Sequence, residues 1–296
     1  AELIEPYQFP GPPVARVDGC APMRDVKNGH DIDDADMTFV ILKPTPFQWE
    51  KLRSPAMTGT IHWYGQKLVL TNIVAETYGG NGTGNAFFDF TPRHPGADFH
   101  FALAVTNVNL HLLTSDLSSP SNKLEGLLSG ELAVTNASSE TWRSWNGYGD
   151  AQLRDGLLWN IPIFGLASDA LNLFSPGLGN SRATQAAVTF GLTNGVFYSK
   201  LLEMHTTTMR LQYSGTVDLQ QNVNARVTAQ LLRNAPLVGS LVSTILWPVS
   251  KIFECQVTGQ LQNPKVAPVW IPSPVAGVLH PIRSLKGIFV SPDDSQ

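Results

Sequence analysis

The sequence predicts a mainly β protein on three observations. Apolar and polar residues alternate with period two through most of the chain, turn-forming residues punctuate those runs, and charge is sparse. Side chains point alternately to the two faces of a strand, so period two marks a strand with one apolar and one wet face. Of 296 residues, 15% are charged and 43% hydrophobic, with 25 Gly and 21 Pro dispersed along the chain. A usual globular chain carries ~25% charged residues. This profile excludes a coiled coil, a charged disordered chain and a basic nucleic-acid binder.

In chain order, Leu68–Thr77 and Ala86–Phe90 read as strands, followed by Phe101, Leu103 and Val105 alternating with Ala102, Ala104 and Thr106. Leu127–Thr135 and Gln152–Trp159 continue the series. The period then changes. Ile163–Phe174 has helical spacing, with Pro162 suited to a first turn and Pro176–Gly177 ending it. Val188, Phe190 and Leu192 resume period two, and Asn194–Gly195 is a hairpin turn leading to Val196 and Tyr198.

The clearest alternation runs from Thr206 to Leu231. Met209, Leu211, Tyr213, Val217 and Leu219 occupy one face, while Arg210 and Gln212 occupy the other. After the polar turn Gln220–Gln221–Asn222 the apolar set is Val223, Ala225, Val227, Ala229 and Leu231, with Arg226 on the wet face. This is a long antiparallel hairpin. A second helix is expected over 236–253, where Leu237, Leu241, Ile245 and Val249 lie on one apolar stripe and Pro248 introduces a kink. The charge-free window 235–250 is short for a membrane span of ~20 residues, so an interfacial or packed helix is expected. Cys255–Leu261 is the last strand in this reading.

No long linker separates domains; the soft spots are Thr114–Lys123 and the tail after Pro272. A hydroxyl–Gly strand opening recurs at Thr58–Gly59, Ser129–Gly130, Ser214–Gly215 and Thr258–Gly259, a weak internal repeat. Residues 1–50 hold 9 acids and 4 bases, whereas 200–290 hold 8 bases and 3 acids, so the C-terminal part is mildly basic; it reads first as a solvated surface with no partner and second as a face suited to an anionic membrane. The first residue is Ala1, which reads as a fragment or processed form.

The sequence carries no motif that points to catalysis. The glycine run Gly79–Gly84 precedes a strand-like segment rather than a helix, so it reads as a hairpin loop and not a phosphate cradle. His30–Asp36 is acidic but lacks the glycine and distal Glu of a calcium loop. The seven histidines have no HExxH spacing and no serine has a GxSxG setting. Trp142, Trp145 and Trp159 read as apolar packing more readily than as sugar platforms, and two cysteines, Cys20 and Cys255, leave open a bridge or free thiols. No catalytic residue, metal site or cofactor is expected, and the chain is not read as an enzyme.

Residues 126–272 resemble the C-terminal region of AsmA-like bacterial proteins, the family that includes TamB and YhdP. The resemblance rests on 147–165 (GYGDAQLRDGLLWNIPIFG), 190–220 (FGLTNGVFYSKLLEMHTTTMRLQYSGTVDLQ), 235–253 (APLVGSLVSTILWPVSKIF) and 257–270 (VTGQLQNPKVAPVW). Residues 1–125 look like preceding β repeats of that family, and 273–296 form a tail. The resemblance implies an extended, curled antiparallel sheet with an apolar concave groove and two short amphipathic helices. It implies non-enzymatic phospholipid transport between inner and outer membranes, in the periplasm. The parent would be tethered to the inner membrane by an anchor absent from this chain. Phospholipids or other acyl-chain lipids, a membrane surface and envelope proteins are the implied partners, with no nucleic acid. Met209, Leu211, Tyr213, Val217, Leu219, Val223, Val227 and Leu231 would then line the groove. Leu237, Leu241, Ile245 and Val249 would sit at its end or at a membrane interface. Two other readings stand beside it: an assembly factor with a closed β core, and an extracellular sugar-binding β protein.

Overall fold

The computed structural model describes residues 7–8, 10–21, 35–49, 51–91, 96–117, 125–157, 183–206, 209–231, 251–260 and 263–270. Strands dominate them, and the strand pairs described below are antiparallel. The chain divides into two compact units. One comprises Ala1–Asn122, Leu127–Ala151 and Leu192–Gly195; the other comprises Lys123–Gly126, Gln152–Gly191 and Val196–Gln296.

The first unit contains β1 (Tyr7–Gln8), β2 (Ala15–Cys20), β3 (Asp36–Trp49), β4 (Leu52–Tyr64), β5 (Lys67–Thr77), β6 (Gly80–Asp89) and β7 (Asp98–Asn109). Helix α1 (Leu110–Leu117) follows, then β8 (Glu125–Ser138) and β9 (Thr141–Leu157), whose residues are shared between the units. β1 and β2 both pair with β3, at its opposite ends. From β3 to β8 each strand pairs with its successor. The connections are tight because the residues permit it. Tyr78 and Gly79 between β5 and β6 adopt φ of 47° and 77°, the left-handed pair that a two-residue hairpin needs.

The second unit contains β10 (Ala183–Thr193), β11 (Val196–Thr206), β12 (Met209–Asp218), β13 (Asn222–Leu231), β14 (Lys251–Gln260) and β15 (Asn263–Trp270). The Asn194–Gly195 turn is as expected, with φ of 51° and 75°. The expected β12–β13 hairpin is present, with Leu211 opposite Ala229 and Tyr213 opposite Val227. Its turn is one residue earlier than the alternation implied. Leu219 leaves the strand for the turn, where Asp218 accepts the Asn222 N–H at 2.8 Å and its carbonyl accepts the Gln221 N–H at 2.9 Å. Thr206 belongs to β11, and its hydroxyl accepts the Met209 N–H at 3.0 Å.

Several expectations are corrected. The glycines of 80–84 lie within β6 rather than in a loop, with Gly84 opposite Leu103 and Gly82 opposite Val105. Their lack of a side chain suits close strand approach: a Cβ on Gly80 would lie 2.4 Å from the Thr106 carbonyl oxygen. Part of the Thr114–Lys123 soft spot is helical, because α1 extends to Leu117. The Asn109 side chain accepts the Leu112 N–H at 3.2 Å and caps α1, a signal the apolar spacing alone did not reveal. The expected helix over 163–174 lies outside the described residues. So does 236–250, with Leu237, Leu241, Ile245 and Val249, whereas Lys251, Ile252 and Phe253 open strand β14 instead of ending a helix. Among the described residues, no helix is long and apolar enough to cross a membrane, which says nothing of crossing by strands.

The weak hydroxyl–Gly repeat acquires a physical reason. Gly59 and Gly215 take φ of 155° and 149° within strands, and a Cβ on Gly215 would stand 2.2 Å from the Asn224 carbonyl oxygen. A side chain there would push the neighbouring strand away.

Candidate apolar binding faces

Cross-strand partners share a face of the sheet, so the registers assemble the side chains into rows. In the first unit one row runs Val17, Phe39, Ile61, Leu70, Ala86, Phe101 and Val134, crossing seven strands. A parallel row runs Met37, Trp63, Leu68, Phe88, Phe99 and Ala137. Ring contacts knit the two: Phe99 lies 5.7 Å from Phe88 and 6.3 Å from Phe101, and meets Trp145 edge-on at 5.3 Å. Val134 and Ala137 are buried, yet Phe39, Ile61, Leu70, Phe101, Trp63, Leu68, Phe88 and Phe99 are only half-buried. The face is continuous, apolar and accessible to water.

The opposite face of this unit is mostly polar. His62 lies 2.8 Å from Asp36, and Lys67 lies 4.0 Å from Asp89. Phe87 is covered on that side by stacking with His100 at 5.0 Å. Helix α1 is tied to β4 by Arg53, which donates Nε–H to Asp116 at 2.9 Å and a second hydrogen bond through its terminal nitrogen. These two donors, above all, hold the Asp116 carboxyl below its ordinary range.

In the second unit the rows are Met204, Leu211 and Ala229, then Leu202, Tyr213, Val227 and Cys255, then Gly215, Ala225 and Val257. Here the face is sealed. Leu211 and Met209 are 0% exposed, and Tyr213, Val223, Val227 and Val257 are buried beside them. Burial drives the Tyr213 phenol well above its ordinary range, and it pushes the Cys255 thiol up to about 12, with Glu254 adding to the effect. Cys255 is therefore an inert thiol; Cys20 is exposed, and both are free.

The structure thus brings Met209, Leu211, Tyr213, Val223 and Val227 together on one face, as the alternation required. Val217 joins them half-buried opposite Val223, Leu219 stands apart in the turn at 39% exposure, and the Leu231 side chain lies outside the description. The half-exposed rows of the first unit were missed as a site. The signal was present, since Trp63, Leu68, Phe88, Phe99 and Phe101 are all apolar at strand period, but the pairing that aligns them is not written in any one segment.

The wet face of the second unit is more structured than alternation suggests. Arg210 is not a freely solvated side chain. It donates to Glu203, which also accepts from Gln212 at 3.2 Å and lies 2.5 Å from His205. Partial burial raises the Glu203 carboxyl, yet the donors from His205, Arg210 and Gln212 overcome it and hold the group at about 2. Arg226, exposed as expected, pairs with Glu254 at 3.0 Å. Of the tryptophans, Trp142 and Trp145 are half-buried in β9, and Trp159 lies outside the described residues. Among the described residues no group of three or more His, Cys, Asp or Glu is arranged to hold a metal ion.

The chain matches no protein-family model, no curated protein and no solved structure.

Proposed function

We propose that this chain binds acyl-chain lipid without catalysing a reaction, and that within an envelope protein it passes phospholipid between inner and outer membranes. One observation carries this reading: the two apolar rows of the first unit, which leave Phe39, Ile61, Leu70, Phe88, Phe99 and Phe101 half-open to water. Strands lie ~4.8 Å apart, so a face six or more strands wide spans an acyl chain of ordinary length. Each CH₂ withdrawn from water is worth ~0.8 kcal/mol, so a chain lying along such rows exchanges one apolar surrounding for another. Moving lipid from bilayer to sheet then needs a continuous apolar path and a wet margin for the head group. The mostly polar reverse face fits that requirement, and no nucleophile or general base is needed.

A second reading has its own support. The sealed face around Leu211 behaves as a closed core, as expected of an assembly or structural protein, and lipid would reach it only after rearrangement. The two readings separate on retained lipid. Mass spectrometry of organic extracts from the purified chain should find phospholipid at stoichiometric levels, and Leu70→Asp with Phe101→Asp should remove most of it. Absence of lipid from the folded wild-type chain would leave the closed-core reading in possession.

A further inference from the structure

The geometry points to strand β2 as a self-complementary edge through which two copies of this chain pair antiparallel about Val17. Among the described residues β2 has one neighbour, β3, and Arg16, Val17, Asp18, Gly19 and Cys20 are all exposed, Val17 at 49%. The Val14 carbonyl accepts the Leu42 N–H at 2.9 Å, continuing the register in which Ala15 faces Ile41. Even-numbered residues of β2 therefore turn their main-chain groups toward β3. Ala15, Val17 and Gly19 turn theirs outward, because hydrogen-bonded and non-hydrogen-bonded pairs alternate along an antiparallel ladder.

A second copy laid antiparallel with Val17 opposite Val17 meets that parity. Ala15 pairs with the partner copy's Gly19, and Val17 with its equivalent, for about six main-chain hydrogen bonds. The intervening pairs put Arg16 opposite Asp18 twice, in the close non-hydrogen-bonded positions where opposite charges across strands attract most. Within one copy the same two side chains already meet at 2.8 Å, both well solvated. Charged residues usually guard an edge strand against pairing by presenting like charges to a second copy. Here the two signs are arranged symmetrically about Val17, so a twofold axis through that residue turns the guard into an attraction. Val17 also begins the apolar row through Phe39, Ile61 and Leu70, so pairing would join that row to its copy.

The strand β15 lacks these features. Pro264 and Pro268 have no N–H, and a strand accepts proline where the missing donor faces away from its ladder. Two of its outward donors are therefore absent, and Lys265 stands exposed between them.

The test is sedimentation velocity of the whole chain over a concentration series, with melting temperature as the control for folding. The wild type should form a dimer. Arg16→Asp and Asp18→Arg, each alone, should weaken it at least ~10-fold, and the double variant R16D/D18R should restore it. Register is read by mild oxidation of Val14→Cys, which should cross-link to the partner copy's Cys20 and lose that link in V14C/C20S. A chain monomeric at all concentrations would overturn the inference. So would single reversals without effect, a double variant that stays weak, or a cross-link that persists without Cys20.

Discussion

Leu211 in the second unit and Leu70 in the first occupy similar settings, each on a strand paired on both sides and each with apolar cross-strand partners. Water reaches Leu70 and not Leu211. Alternation decides which side of a strand a residue points to, and that holds in both units. It does not decide whether the side is covered. A sealed face tolerates no polar residue, so its alternation is the cleanest in the sequence; an accessible face admits Ala86 and Gly84 among its aromatics and reads less sharply. Clarity of pattern thus measures closure. The segment that alternates best is for that reason the weaker candidate for a surface that must receive a ligand.

The sharpest way to break this comparison is to place a carboxylate in each face. Leu211→Asp buries an unpaired charge with no route to water, and should cost more than ~4 kcal/mol, enough to unfold a marginally stable domain. Leu70→Asp can hydrate its carboxylate, and should cost ~1–2 kcal/mol while lipid retention falls several-fold. Thermal melting of the two variants side by side measures the contrast, and equal losses would abolish the distinction between the faces.

The wet face of the second unit sharpens it further. Glu203→Gln removes the charge that Arg210, Gln212 and His205 surround, and should cost ~1–2 kcal/mol at pH 7. The folded carboxyl sits at about 2, below its ordinary 4.5, so its contribution is fully present above pH 4.5 and is lost as pH falls through about 2. Urea titrations at pH 7, 4 and 2 should show wild type and variant converging toward the acid end. In the first unit, Asp116→Asn weakens the hold of Arg53 on α1 and should cost less than ~1 kcal/mol, because Arg53 is largely solvated. Faster amide exchange across Leu110–Leu117, with the strands unchanged, is the expected sign.

How much of this was legible depends on whether the cause was local. The hairpin of β12 and β13 was readable because both alternating strands and the polar joint between them are contiguous in the chain, although the turn falls one residue earlier than the alternation implies. The Asn194–Gly195 turn was readable because two adjacent residues carry it. Helix α1 escaped because its cap, Asn109, is also the last residue of a strand and its apolar stripe, Leu110, Leu113 and Leu117, is only two turns long. The strand identity of Gly80–Gly84 escaped because glycine signals turns when read alone, whereas here the Thr106 backbone presses against Gly80 from the next strand. The rows of the first unit escaped for the same reason: each joins residues from six or seven strands, and only pairing puts them side by side.

The pairing of each strand from β4 to β7 with the one just before it also governs how this polypeptide is made. Closing a short loop costs little chain entropy, and the cost grows only slowly with length. As the chain leaves the ribosome, each of these strands meets its partner within one short connection and needs no later segment to begin a ladder. Contacts of low sequence separation form fast. An apolar strand that is paired as soon as it emerges is exposed for less time to the intermolecular association that traps slow β folds.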